Sequence, residues 1–159
     1  VTGVQTCALP ISGRLSGSYD NINSAVVAAN NNYGYVKDYN NRLVWTKYKT
    51  TTGQIKGITP SSADFGGGYQ GGEAVVKSYI GDVDNLKKIT LKGVSYETVL
   101  PYISRGKPVL AKTANGYVII TAYDSTSITY LDSGREKNIT ATEAAKLFTQ
   151  GGNLYVTFY

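Results

Sequence analysis

The sequence predicts an α+β fold: an antiparallel β-meander with packed helices, preceded by a small helix-plus-hairpin unit. Three observations predict it. β-Branched and aromatic runs in the second half are joined by short polar connections, which favour antiparallel neighbours. Stretches with helical spacing of apolar residues flank those runs. The chain has 159 residues, of which 42% are hydrophobic and 17% charged, and this balance excludes collagen, coiled coils and charge-rich disorder.

The first eleven residues stand apart from the rest of the chain. Residues 1–11 read VTGVQTCALPI and resemble the translation of a common sequencing-adapter oligonucleotide. We therefore exclude them from fold reasoning. We expect Cys7 to be non-native, and the gene's own N-terminus, with any signal peptide or upstream domain, to lie outside this sequence. The alternative is a short strand or the end of a signal peptide, since Ala-Leu-Pro-Ile is apolar.

Residues 12–48 predict the helix-plus-hairpin unit. A helix begins after Asp20 or Asn21, because either side chain can accept a hydrogen bond from the first turn. Its apolar positions share one face: Ile22, Val26 and Ala29. The hairpin follows, with residues 35–37 and 42–45 as strands around an Asn-rich turn, since asparagine tolerates the left-handed backbone that tight turns need.

Positive charge is concentrated on this unit. Residues 12–60 carry a net charge of +4, whereas residues 61–159 carry +1. Aromatic side chains interleave with the basic ones: Tyr33, Tyr35, Tyr39, Trp45 and Tyr48. A basic, aromatic strand surface can bind an anionic polymer. The alternative is a solvated hairpin whose aromatic residues cover the helix, and we favour it because no RNA-binding motif accompanies the pattern.

Residues 49–72 predict a Gly/Thr-rich linker. They contain Thr-Thr-Thr-Gly, Pro-Ser-Ser and Gly-Gly-Gly runs, and glycine loses the most backbone entropy when it is ordered.

Residues 73–159 predict the meander and its helices. Three helices are expected: residues 73–80, a helix capped by Ser95 that ends at Gly106, and a helix that a Thr140–Glu143 capping box opens and that runs through Phe148. Five strands are expected: residues 86–91, 109–113, 117–123, 128–131 and 154–158. Asn115-Gly116 predicts a type I′ turn, and Asp124 to Ser127 form the next connection.

The residue types limit the chemistry. The chain has no His, and Cys7 is its single Cys, so we predict no cofactor and no metal site. Gly66–Gly68 lacks the Lys and Ser/Thr of a phosphate-binding loop and is interpreted as a loop. Asp124 and Asp132 are interpreted as turn residues rather than as a catalytic pair. Lys107 and Lys112 are candidates, by location alone, for a Ser–Lys arrangement.

An ordered series of motifs in the second half carries a resemblance. The series consists of residues 91–97, 103–110, 115–124 and 130–132. It resembles the C-terminal lobe of papain-like cysteine peptidases of the bacteriocin-processing (double-glycine) branch, which show G-x-P-V, then G-H-Y-V-V-V-T-G-Y-D, then D-P. Residues 14–48 also resemble a small unit found ahead of such domains in exported proteins of Gram-positive bacteria.

The resemblance implies a degenerate site. The catalytic His of the family falls at Gly116, beside Asn115, and neither can act as a general base. The orienting Asp falls at Asp132, although Ser133 replaces the Pro. The nucleophilic Cys belongs on a helix, but residues 49–72 stand there with no Cys and no long helix expected. Losing members of such a triad costs orders of magnitude in rate.

We therefore expect a non-catalytic, peptidase-like binding or structural module of a larger exported protein, located outside the cell or at its surface. The candidate binding residues are Asn115, Tyr117, Asp132 and Trp45. The expected partner is a peptide or an anionic cell-wall polymer, with no nucleic acid and no membrane span. The alternative is a fragment of a cysteine peptidase whose nucleophile lies in missing sequence.

Overall fold

A computed structural model describes residues 4–7, 17–19, 21–32, 34–81 and 85–159 of the chain. The helices are α1 (Ile22–Asn31), α2 (Tyr69–Ile80), a 3₁₀ turn (Tyr96–Val99), α3 (Leu100–Ser104) and α4 (Ala141–Gln150). The strands are β1 (Val4–Cys7), β2 (Gly17–Tyr19), β3 (Tyr35–Asp38), β4 (Leu43–Thr46), β5 (Gly53–Gln54), β6 (Lys88–Lys92), β7 (Val109–Thr113), β8 (Gly116–Tyr123), β9 (Ser127–Asp132), β10 (Arg135–Thr140) and β11 (Leu154–Phe158).

The strands form two sheets, and the strand pairs of both are antiparallel. The smaller sheet has the order β2-β1-β3-β4. The larger has the order β10-β9-β8-β7-β11-β6, with the short β5 paired to the end of β8. Strands β7 to β10 are a meander, and β11 lies between β7 and β6. The α+β class with a mainly antiparallel sheet is therefore confirmed.

The larger sheet is buried on both faces. One face packs against α1, α3 and α4, and its core includes Val109, Ala111 and Phe148. The other packs against α2, and its core includes Leu110 and Val76. Successive residues of β7 enter opposite cores because side chains alternate across a strand.

Several sequence predictions are confirmed. Helix α1 begins after Asn21, whose side-chain oxygen accepts a hydrogen bond from the Asn23 N–H at 2.8 Å. The predicted hairpin is β3 and β4, and β7 and β11 have the predicted bounds. The strand predicted at residues 86–91 forms as β6, at Lys88–Lys92. The helix expected after Ser95 forms as the 3₁₀ turn followed by α3.

Helix α2 begins at Tyr69 rather than at residue 73, and it includes Gly71 and Gly72. The first four residues of α2 therefore lie in residues 49–72, which the sequence predicts as a linker, and the rest of that segment holds no helix. The physical reason is packing: a Cβ at Gly72 would overlap the Leu110 side chain of β7 and lie 3.0 Å from the Phe65 ring. The missing side chain lets the helix approach the sheet closely. This glycine pair therefore allows close packing of α2 on the sheet and does not mark a flexible linker.

The same segment holds further ordered contacts. Gly53–Gln54 forms β5 against β8, and the side chains of Ile55 and Ala63 are buried. Of residues 1–11, the backbone of Val4–Cys7 forms β1 and pairs with β2 and β3. The other residues of that segment lie outside the described part of the chain, and its adapter origin stays a prediction.

Two predictions about the meander are wrong. The type I′ turn at Asn115-Gly116 is replaced by a loop of Ala114 and Asn115, since Thr113 pairs with Gly116 at the start of β8. Of these residues only Gly116 has a positive φ, at 146°, whereas a type I′ turn needs positive φ at both central residues. The missed strand β10 is an exposed, polar edge strand without apolar alternation.

The cap of α4 yields a stability prediction. Thr140 Oγ1 accepts a hydrogen bond from the Glu143 N–H at 3.2 Å, as the capping-box pattern predicts. Replacing Thr140 by Ala should therefore lower the free energy of unfolding by about 1 kcal/mol. Urea denaturation would measure this change. Thr140→Ser keeps the acceptor and should retain most of the stability, whereas equal losses in both variants would contradict the capping role.

Candidate functional site

The helix-plus-hairpin unit meets the larger sheet's helices around Trp45. The Trp45 side chain is 1% exposed, and its indole N–H donates to the Thr98 carbonyl at 2.8 Å. Beside it, the hydroxyl of Tyr102 donates to the Val44 carbonyl at 2.7 Å. Trp45 was predicted as a binding residue, and the structure places its ring in the core, where it forms the floor of this junction.

Two concavities open on either side of that floor. The larger, about 170 Å³, is lined on one side by Lys47 and Lys49. The smaller, about 10 Å³, has room for about one water molecule and is lined by Arg105 and Lys107. Both include Trp45 and Pro101 in their lining. We call this surface the junction face and define it by these six residues: Trp45, Lys47, Lys49, Pro101, Arg105 and Lys107.

The junction face is strongly basic. Four of its six residues are cationic, and Glu97 is the one acidic side chain among the described residues that line the two concavities. The ion pairs found in the described part of the chain, Lys88–Glu73 and Lys137–Asp132, lie elsewhere. Cations from the segments that follow β4 and α3 are therefore brought to one surface with little negative charge beside them.

The cations near α3 lie close enough to repel each other. Burial, and then the charges of Arg105 and Arg42, lower the pKa of the Lys107 ammonium. Arg42 donates to the Asn85 carbonyl at 2.7 Å, and its guanidinium lies 5.1 Å from the centre of the Tyr159 ring. An anion bound at Arg105 and Lys107 would relieve this repulsion.

The strand side of the junction face is held in place by local contacts. Lys47 Nζ donates to the Asn30 carbonyl at 2.7 Å, and Lys49 Nζ lies 5.2 Å from the centre of the Tyr123 ring. Between them Tyr48 is 72% exposed. The Thr50 N–H donates to Ser104 Oγ at 3.0 Å, which ties the segment after β4 to the end of α3.

The position assigned by resemblance to a general base is tightly packed and has a backbone conformation that favours glycine. A Cβ added at Gly116 would lie 3.0 Å from the Gly67 carbonyl oxygen, and its backbone has a φ of 146°. The Tyr117 N–H donates to that same carbonyl at 2.9 Å. A side chain at residue 116 would therefore crowd the main chain of the loop before α2 and strain its own backbone.

The other predicted site residues do not converge. Tyr117 packs on the α2 side of the sheet, with its ring centre 5.4 Å from that of Tyr69. Asp132 belongs to the opposite face of the sheet. Side chains alternate along β9, so Asp132 shares the face of Tyr130 and not that of Leu131. There Lys137 Nζ lies 3.2 Å from its carboxylate. Asn115 is exposed in the turn, so the expected groove between these three residues does not form.

Asp124 is a turn residue, as predicted. Its Oδ1 accepts hydrogen bonds from the backbone N–H groups of Thr126 and Ser127, at 2.8 and 2.7 Å. These bonds hold the pKa of Asp124 below its ordinary value. Asp124 and Asp132 lie at the two ends of β9 and do not form a carboxylate pair.

Comparison with known proteins gave no relatives: no family model, no curated protein and no solved structure matches this chain. In the part of the chain that the structure describes, no helix is both long and apolar enough to span a membrane. Nor do three or more potential metal ligands cluster among those residues.

The sequence indicates only part of the junction face. The basic hairpin is an open alternative there, behind the interpretation as a solvated hairpin, and Trp45 is a candidate binding residue. Arg105 was missed, and Lys107 was considered only for a Ser–Lys arrangement. The available signal was the short run Arg-Gly-Lys after α3, in which two cations flank a glycine with a φ of 82°.

Proposed function

We propose that this protein is a non-catalytic, peptidase-like binding module of a larger exported bacterial protein. The observation that carries the proposal is at Gly116, where the Gly67 carbonyl oxygen stands 3.0 Å from any Cβ. This is the position to which the resemblance assigns the general base. A module that keeps a peptidase-like motif order but has a glycine at that crowded position is suited to binding rather than to hydrolysis.

The chemistry of the chain supports the same proposal. Peptide hydrolysis by a cysteine peptidase needs a thiolate and a base, most often His, to activate it. The 159 residues contain no His, and Cys7 belongs to the segment expected to derive from an adapter. Near the start of β8 lies the first turn of α2, where Tyr69, Gln70 and Gly71 supply no thiol.

The junction face supports a binding role. It offers a wide, basic surface at the contact between two parts of the chain, and such contacts commonly hold ligands. Its positive charge favours a negatively charged partner. Of the two partners expected from the sequence, a wall peptide or an anionic wall polymer, the electrostatics favour the polymer.

The proposal predicts that the protein does not hydrolyse peptides but binds cell-wall material. Turnover would be measured with a library of fluorogenic peptides that includes Gly-Gly sequences, and binding by co-sedimentation with purified Gram-positive cell walls. We expect no turnover above buffer and saturable binding to the walls. The physical reason is that the sequence has no histidine to activate a thiol, whereas its junction face is basic.

A thiol-reactive inhibitor serves as the control for the turnover measurement. Hydrolysis that this inhibitor abolishes would contradict the proposal and support the alternative, a cysteine peptidase fragment. Absence of both turnover and wall binding would also contradict it, because a binding module must bind.

A further inference from the structure

The strongest unexplained feature of the molecule is the group of cations at the end of α3. Arg105 is exposed and Lys107 is half-buried, and neither has an acidic partner among the described residues. They belong to one lining, together with the strand residues Val44 to Thr46. Like charges held together without a counter-charge destabilise a fold slightly, and a bound anion removes that cost.

The distribution of charge points to a ligand with repeated negative groups. Arg105 and Lys107 border one concavity, and Lys49 borders the other, across the shared floor of Trp45 and Pro101. A single small anion would contact one end of this surface. A chain that carries an anionic group in each repeat can contact both ends at once, and the second contact adds affinity without a new kind of site.

A peptide fits this surface poorly. Peptide recognition by strand addition needs a free strand edge, whereas the Val44 carbonyl of β4 already accepts the Tyr102 hydroxyl. The concavity beside Arg105, with a volume of about 10 Å³, is also too small to take a side chain. The main feature of this surface is its positive charge, which a peptide without acidic groups would not use.

A nucleic acid also fits poorly. Proteins that bind single strands use successive aromatic rings as stacking platforms. On the junction face the Trp45 ring is buried, and Tyr48 is the exposed ring beside it among the described residues.

The arginine fork matches a phosphate geometrically, and the neighbouring ammonium supplies a second charge.

We infer that Arg105 and Lys107 bind the phosphates of a non-nucleic phosphodiester polymer that lies along the junction face and reaches Lys49. This inference rests on the proposed function, whose ligand class it names. Arg105 makes the forked contact with one phosphate, Lys107 adds charge, and Lys49 contacts a later repeat.

Isothermal titration calorimetry with poly(glycerol phosphate) at several NaCl concentrations tests the inference. The double variant Arg105→Gln/Lys107→Gln should bind at least about tenfold more weakly than the unmodified protein. The log affinity should also fall less steeply with log salt than for the unmodified protein, because fewer counterions are released when fewer phosphates are neutralised. The matched control Lys77→Gln/Lys112→Gln removes the same charge from the α2 side of the sheet and should bind within about twofold.

The side chain of Arg105 is exposed, so the single variant Arg105→Gln keeps the test valid if the double variant is unstable. Unchanged affinity and salt slope in both variants would overturn the inference. Equal weakening by the control variant would also overturn it, because binding would then follow net charge alone.

Three further titrations separate this inference from the proposed function. Inorganic phosphate that binds as tightly as the polymer, or single-stranded DNA that binds more tightly, would overturn the polymer assignment. Binding of cell-wall peptide without binding of poly(glycerol phosphate) would overturn this inference and leave the binding module standing. If the protein binds none of these probes and does not bind whole cell walls, both the inference and the proposed function are overturned.

Discussion

Replacing Trp45 by Ala should lower the free energy of unfolding by about 3–5 kcal/mol, the range for removing a large buried aromatic side chain. Trp45 is among the largest fully buried side chains, and it packs where the hairpin contacts the helices of the larger sheet. The substitution leaves a cavity and also leaves the buried Thr98 carbonyl without its donor. Urea denaturation followed by circular dichroism would measure the loss.

Trp45→Phe separates the two causes. Phenylalanine keeps most of the apolar volume but cannot donate to Thr98, so its loss should be smaller than that of Trp45→Ala. A loss below about 1 kcal/mol for Trp45→Ala would contradict the structure, because it would mean that the ring is not in the core.

Replacing Gly151 by Ala should cost about 3 kcal/mol, the upper end of the range for overpacking a rigid site. A Cβ at Gly151 would overlap the Lys112 carbonyl oxygen and lie 2.9 Å from the Cα of Thr113. Both atoms belong to the main chain of β7 near the centre of the larger sheet, so they cannot rotate away as a side chain could. Thermal and urea unfolding of the variant would measure the effect.

Gly68→Ala is the matched control, because it makes the same chemical change where no atom lies within 4 Å of the new Cβ. Its φ of −83° is accessible to alanine, so we expect a loss below about 1 kcal/mol. Similar losses in the two variants would show that the close contact at Gly151 is not what matters.

Local patterns predicted most of the elements whose side chains alternate or repeat clearly. Strand β11 alternates between the two cores, and α4 carries a capping signal together with buried Ala144 and Phe148. The pattern was silent for β10, whose side chains are almost all exposed, so nothing in its composition distinguishes it from a loop. This segment is a strand because its backbone pairs with β9.

The Gly71-Gly72 pair shows the opposite problem. Glycine lowers helix propensity by about 1 kcal/mol relative to Ala, which favoured a loop over residues 66–72. Contact with Leu110 outweighs that preference, but Leu110 is far along the chain and the contact is invisible to a local pattern. Tertiary packing therefore decided where α2 begins.

The candidate site was half predictable for a similar reason. The basic residues of the hairpin are neighbours in sequence, so their charge could be seen directly. Arg105 and Lys107 join them through contacts between distant parts of the chain, such as the hydrogen bond from the Trp45 indole to the Thr98 carbonyl, 53 positions away. Likewise, the motif order around Gly116 could be read from the sequence, but the Gly67 carbonyl that fills its surroundings could not.

The placement of β11 has a consequence for folding during synthesis. Strand β6 pairs with β11 as its strand partner in the larger sheet, and β11 also borders β7. A ribosome releases residues 88–92 long before residues 154–158, so β6 must wait unpaired while the meander forms. During that interval we expect nascent chains to expose the unpaired edge of β6, which can aggregate. Chaperone binding would matter most at this stage.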